Sequence, residues 1–278
     1  MTMSFLLHDL PGEIESAELG GQVKPTLRRQ RVSRSASEAI IADKVRIPEA
    51  GGTINRPRLV ELIEKSVELY GATLISGRAG TGKTVLAADH ARRHKNATWH
   101  TFEPADSDWR EFSNAFVHSL TGRKAGRLKI SKIESPDEAT ISELLTYCLG
   151  RVARQRRPLP RLIVFDNVHH LFDAPWFGEF FRQLIISLSD DVRLLMLCRS
   201  KPSAPLWRLR SKQMLNVIDE NVLDFTQSEA RRFARQLGLP PDAADEALRA
   251  SFGRASTLSK ILIQAAADYH SRRSGVSS

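Results

Sequence analysis

Apolar positions change their spacing several times along the chain, and each change predicts an element. In "RPRLVELIEKSVELY" (56–70), Leu59, Leu62, Ile63, Val67 and Tyr70 recur at helical spacing and give one helix an apolar face. Short runs that are apolar throughout follow it: "ATLIS" (72–76), "ATWHTF" (97–102), "RLIVFD" (161–166), "RLLMLC" (193–198) and "LNVI" (215–218), with helical stretches between them. Strands covered on both faces require such runs, so the pattern predicts an α/β fold with a five-stranded, mainly parallel sheet flanked by helices. Beyond residue 219 the strands stop. "TQSE" (226–229) reads as a capping box with Thr226 at the N-cap and Glu229 three residues on; Ala230, Phe233, Ala234 and Leu237 then share a helical face before Gly238. A second short helix, and a last one carrying Leu258, Ile261, Leu262, Ala265 and Tyr269, complete a small C-terminal helical domain.

Composition adds an N-terminal tail to this picture. Residues 1–44 pair an acidic first half (Asp9, Glu13, Glu15, Glu18) with a basic, Ser-rich second half, which predicts little packed structure. The expected organisation is a tail over 1–44, an α/β domain over 45–218 and a helical lid over 219–278. With 278 residues and 41% hydrophobic content, the chain can bury one sizeable core and a satellite. No apolar run approaches the roughly 18 to 20 residues of a membrane span, and "MTMSFLLHDLPGE" lacks a basic leader, so a cytoplasmic location is expected. Cys148 and Cys198 stand far apart and read as small buried apolar residues. A net charge of +9 favours phosphates, nucleic acid or acidic partners, and much of it sits in "GRKAGRLKISK" (122–132) and "RVARQRRPLPR" (151–161), each with five basic residues and no acid. Either segment is a nucleic-acid contact or merely a solvated face.

The strongest chemical signal is Gly77-Arg78-Ala79-Gly80-Thr81-Gly82-Lys83-Thr84, which fits G-x-x-x-x-G-K-[ST] between an apolar strand and a good helix. Glycines let successive backbone N–H groups curl inward, and the helix N-terminus adds a positive dipole end. Lys83 would then reach the β- and γ-phosphates, and the Thr84 hydroxyl would ligate Mg²⁺. Asp166 ends a second apolar run and fits a Walker B acid that holds the same metal. Asn-Lys-x-Asp is absent, so ATP is favoured over GTP by elimination. Arg199 ends "RLLMLC", where it fits either a γ-phosphate contact or a surface ion pair. His90 and His94 stand four apart without the metalloprotease pattern and read as solvent-facing.

The succession "RPRLVELI", "GRAGTGKT", "ATWHTFEPADSDWREFSNAF", "LIVFDNVHHL", "LLMLCRSKPSAPLWRLR" and "VLDFTQSEARRFA" resembles the ATPase core of the MalT-like STAND proteins, signal-transducing P-loop ATPases of LuxR-type regulators. The resemblance runs from about residue 45 to 265. It implies phosphate and magnesium contacts at Gly77, Gly82, Lys83 and Thr84, a Walker B role for Asp166, a γ-phosphate sensor at Arg199, and an adenine-pocket position for Arg56. It also implies a helical lid over the nucleotide. Two departures stand out: the family's second Walker B acid is replaced here by Asn167, and the repeat and DNA-binding regions that follow the core in the family are missing from this sequence. An amide is a poor general base, so at most weak ATPase activity is expected, with His169 either a substitute base or an ordinary turn histidine. The leading expectation is an ATP-binding switch that recruits a protein partner or a second copy; the alternative is a nucleic-acid-associated helper ATPase of AAA+ type. A small-molecule kinase fits less well, because no lid arginines or acceptor-activating acid can be assigned.

Overall fold

Five strands form one sheet in the order β2-β3-β4-β1-β5, and every neighbouring pair is parallel. In this computed structural model, which describes residues 42–49, 54, 56–123, 132–154 and 161–275, the strands are β1 (Ala72–Ser76), β2 (Thr98–Thr101), β3 (Arg161–Asp166), β4 (Val192–Cys198) and β5 (Asn216–Ile218). Both β1 and β3 pair with β4, so their C-terminal ends meet along one rim of the sheet. The loop after β1, Asp166 at the end of β3 and Arg199 just past β4 are thereby brought to the same rim. All five residues of β1 are buried, the physical reason its run lacks alternation. β2, an edge strand paired only with β3, omits the Ala97 and Phe102 of its apolar run.

Side chains alternate across the sheet between two cores. Ile75, Val164, Leu195 and Leu197 pack with α1 (Pro57–Tyr70) and α2 (Lys83–Arg93) on one face. Leu74, Ile163, Phe165 and Met196 pack on the other face with α3 (Trp109–Thr121), α4 (Glu138–Arg154), α5 (Phe177–Ile186) and α6 (Ala204–Ser211). The second core is aromatic, with Phe112 in ring contact with Phe116, Trp176 and Phe180. Asp108 caps α3 by accepting from the amides of Arg110 and Glu111.

His90 corrects its expected position on the solvent face. It is fully buried, and His94 is half-buried beside it, their rings 4.6 Å apart. Helix α2 packs against both the sheet and α1, so its buried arc (Leu86, Ala87, Ala88, His90, Ala91) is wider than a one-sided amphipathic helix needs.

After β5 a 3₁₀ turn (Glu220–Leu223) leads into α7 (Gln227–Gln236), α8 (Pro241–Ser251) and α9 (Ala255–Gly275). These helices close on a third core that includes Phe225, Phe233, Ala247, Leu258 and Leu262. The capping box is complete: the Thr226 hydroxyl accepts from the Glu229 amide, and the Glu229 carboxylate accepts from the Thr226 amide. Among the described residues, no helix is long and apolar enough to cross a membrane. Of the expected tail, only residues 42–44 are described, and Lys44 makes a buried ion pair with Asp106 at 2.9 Å. Residues 124–131 and 155–160, most of the two basic segments, lie outside the described residues.

Candidate nucleotide-binding site

The turn from β1 into α2 follows the backbone geometry that its glycines permit. Gly80 has φ +84, a conformation that side-chain-bearing residues rarely adopt, and a Cβ there would press on the Ser256 side chain. Gly82, also at positive φ, is the N-cap of α2, and no side chain caps that helix end. A helix start left uncapped at the rim of a parallel sheet presents N–H groups and a positive dipole to an anion.

Lys83 is buried and folds back across the loop. Its ammonium donates to the carbonyl oxygens of Gly77 and Arg78, the latter at 2.8 Å, and to the Thr81 hydroxyl at 3.1 Å. Three donors meet three acceptors, so the charge is held ready rather than left bare. Burial lowers its pKa from the ordinary lysine value, opposed by the nearby Cys198 and Asp166 groups.

Thr84 and Asp166 come together at the rim of the sheet. The Thr84 hydroxyl donates to Asp166 Oδ2 at 3.0 Å, while Oδ1 accepts from the Asn167 amide at 2.8 Å. Burial raises the pKa of Asp166, against hydrogen bonds from Thr84 and Asn167 and the charges of Arg199 and Lys83. A buried carboxylate beside a hydroxyl is the donor set that a hard divalent cation such as Mg²⁺ takes, so the residues fit that group. Asn167 follows with φ 60, a left-handed conformation that asparagine tolerates well. The exposed Arg199 lines the same cleft. His169 does not line it; burial lowers its pKa to about 4, leaving a neutral imidazole at neutral pH.

The cleft holds about 440 Å³ between the loop and the C-terminal helices. That is within the range of about 300–1,000 Å³ usual for small-ligand sites. Polar residues Lys83, Thr84, Asp166 and Arg199 line it together with apolar Ile54, Val85, Phe225, Phe233 and Ile263. Arg56 lines the cleft, but its guanidinium is committed to the helical unit. It donates to the carbonyl oxygens of Leu223 and Asp224 and to Glu229 at 2.9 Å, and lies 4.0 Å over the Phe225 ring. Only its Nε lacks a partner among the described residues.

Three residues absent from the sequence-based site touch the loop directly. Glu220 accepts from the Arg78 amide at 3.0 Å and from its guanidinium. The Ser256 amide donates to the Gly80 carbonyl at 2.9 Å, and Arg254 donates to the Ala79 carbonyl. No motif marks these positions; the order in which a linker and a helix start return to the sheet rim is a tertiary fact.

A glycine loop on a helix start, a lysine folded into it, and a threonine–aspartate pair brought together from the ends of β1 and β3, on either side of β4, define a P-loop nucleotide-binding core. Residues 67–200 match the AAA domain family. The similarity narrows further with whole proteins. The chain is 27% identical over 183 residues to the HTH-type transcriptional regulator MalT of Cronobacter sakazakii, covering 65% of this chain and 20% of that one. It is 25% identical over 199 residues to MalT of Klebsiella pneumoniae, covering 71% and 22%. The chain thus carries a MalT-like P-loop ATPase core and spans about a fifth of the length of these curated relatives. Among solved structures, the Walker-type ATPase PABY2304 of Pyrococcus abyssi superposes with a TM-score of 0.49 at 12% identity, covering 82% of this chain and 79% of that one.

Proposed function

We propose that this chain is an ATP-dependent switch in which nucleotide occupancy resets the position of the C-terminal helices, and that the reset form recruits a protein partner. The observation that carries this reading is the direct grip of the helical unit on the phosphate loop: Arg254 on Ala79 and Ser256 on Gly80. Phosphates entering the loop must draw Lys83 away from the Gly77 and Arg78 carbonyls, and those carbonyls adjoin the two gripped by α9. A ligand shifts such an equilibrium only through its different affinity for the two forms. Arg199, which lines the same cleft just past β4, is the group that would distinguish a triphosphate from a diphosphate.

In the loaded site, Lys83 would hold the β- and γ-phosphates, and Thr84 with Asp166 would hold Mg²⁺. That metal would neutralise charge across the two phosphates. The residue after Asp166 is an amide, so the chain offers no carboxylate there to take a proton from water. Turnover is accordingly slow and the loaded state persistent, as suits a switch. The test is ATP binding and turnover measured side by side in the unmodified chain, Lys83→Ala and Asn167→Asp. Tight binding with slow turnover is expected in the first; brisk hydrolysis there would refute the switch.

A further inference from the structure

From Val192 to Ile218 the chain carries six basic residues, Arg193, Arg199, Lys201, Arg208, Arg210 and Lys212, and no acid. The run starts in β4, passes Arg199 in the nucleotide cleft and continues through a short loop into α6. Leu206 and Leu209 hold that helix in the aromatic core. A Cβ on Gly178 of α5 would meet Pro205 at 3.1 Å, so the two helices also pack closely. With those residues facing inward, helical spacing turns the others out: Trp207, Arg208, Ser211 and Lys212 are all exposed.

Two features separate this face from ordinary solvated surface. Exposed arginines such as Arg93, Arg182 and Arg231 each pair with a carboxylate, whereas Lys201, Arg208, Arg210 and Lys212 make no ion pair among the described residues. The second feature is Trp207, 39% exposed, while Trp99, Trp109 and Trp176 are at most 5% exposed. The Arg210 guanidinium lies 4.7 Å from the centre of its ring. The helix dipole accounts for bases in the last turn, where Arg208 and Arg210 stand. It accounts neither for Lys201 in the preceding loop nor for an exposed indole. A flat apolar ring set among unpaired cations suits a single nucleic-acid strand, with phosphates on the cations and an unstacked base on the ring. A duplex keeps its bases stacked on one another and has no use for the ring, and an acidic peptide would use the charges alone.

We infer that α6 and the loop before it bind single-stranded nucleic acid, with phosphates on Arg208 and Lys212 and a base stacked on Trp207. The surface and the class of partner are different from those of the switch proposed above, and the inference does not rest on that reading. Such contacts tolerate any base sequence, because every base has a π-face. The net charge of +9 adds longer-range attraction to any strand.

The test titrates the full chain with a labelled single-stranded oligonucleotide of about 12 nucleotides, read by intrinsic tryptophan fluorescence and by anisotropy of the label. Trp207 is the one exposed tryptophan, so saturable quenching reports a base on its ring. Trp207→Leu should weaken binding, read by anisotropy, at least about fivefold. Arg208→Ser combined with Lys212→Ser should flatten the slope of log affinity against log salt by about 1.4, the contribution of two phosphate contacts on a single strand. These substitutions fall on exposed residues outside the nucleotide cleft, so ATP binding and the melting temperature should stay as in the unmodified chain. Absence of saturable binding at low salt overturns the inference, as does binding without quenching. Equal or tighter binding of a duplex, of polyphosphate or of polyglutamate overturns it too, the last two by showing a face that reads charge alone.

Discussion

Arg254, immediately before α9, donates to the carbonyl oxygen of Ala79 in the phosphate loop, joining residues 175 positions apart. Two residues further on, the Ser256 amide holds Gly80. The loop that would cradle phosphates and the unit that would cover them are therefore one hydrogen-bonded body, and the loop's conformation cannot change without acting on α9.

Removing that grip tests the coupling. Arg254 is exposed, so Arg254→Ala should cost about 1 kcal/mol or less of global stability. Its effect should instead be local. Amide exchange at Ser256 and in the loop should quicken several-fold in the nucleotide-free chain, while the sheet amides stay unchanged. Equal acceleration across the sheet would show that the contact is merely part of the general fold.

Asn167→Asp asks whether the missing acid limits turnover. Aspartate, like asparagine, tolerates the left-handed backbone at this position, so the substitution should fold normally. ATP turnover should rise at least about tenfold, part of the roughly 10²- to 10⁴-fold that a positioned general base supplies. Lys83→Ala should instead weaken binding by about ten- to a hundredfold through loss of a charged hydrogen-bonding group. Calorimetric binding together with single-turnover hydrolysis separates the two effects.

The strands and the loop were legible because their signals are local. Ala72–Ser76 is buried throughout and Arg161–Asp166 from Leu162 onwards, so between the half-buried Arg161 and the terminal Ser or Asp they carry only apolar or strand-favouring residues. The Thr226–Glu229 capping box is likewise a contact within four residues. His90 reads as solvent-facing once its spacing to His94 lacks a metal-binding pattern, but its helix packs against both α1 and the sheet and buries it. The partners of Arg56, Glu220 and Arg254 lie so far along the chain that no periodicity records them. Glu229 shows both levels at once: its cap was readable, its ion pair with Arg56 was not.

That ion pair ties the start of α1 to α7, and its loss should free the helical unit. Burial would raise the Glu229 pKa, but hydrogen bonds from Arg56, the Thr226 amide and Arg58 outweigh it and hold the group at about 2. A carboxylate depressed from the ordinary 4.5 adds stability above that value and loses it as pH falls through the folded value. Glu229→Gln leaves the Arg56 guanidinium buried without its counter-charge and should cost about 3–5 kcal/mol at pH 7. Chemical denaturation at pH 7 and pH 3 should show the variant losing less between the two than the unmodified chain. An identical loss would mean the acid sensitivity arises elsewhere.

His100 supplies a second acid-sensitive window of a different kind. It is fully buried in β2, its ring 4.5 Å from Phe102, and neither ring nitrogen has a hydrogen-bond partner among the described residues. Burial, helped by the positive charge of Lys44, lowers its pKa to about 3. The unfolded chain takes up this proton near the ordinary 6.5 and the folded chain does not, so stability falls as pH drops from 6.5 towards 3. His100→Leu removes both the titration and two buried unpaired nitrogens. The variant should match or exceed the unmodified chain at pH 7 and gain on it steadily down to pH 4, as read from denaturation midpoints. A constant gap between the two across that range would show that His100 does not titrate on unfolding.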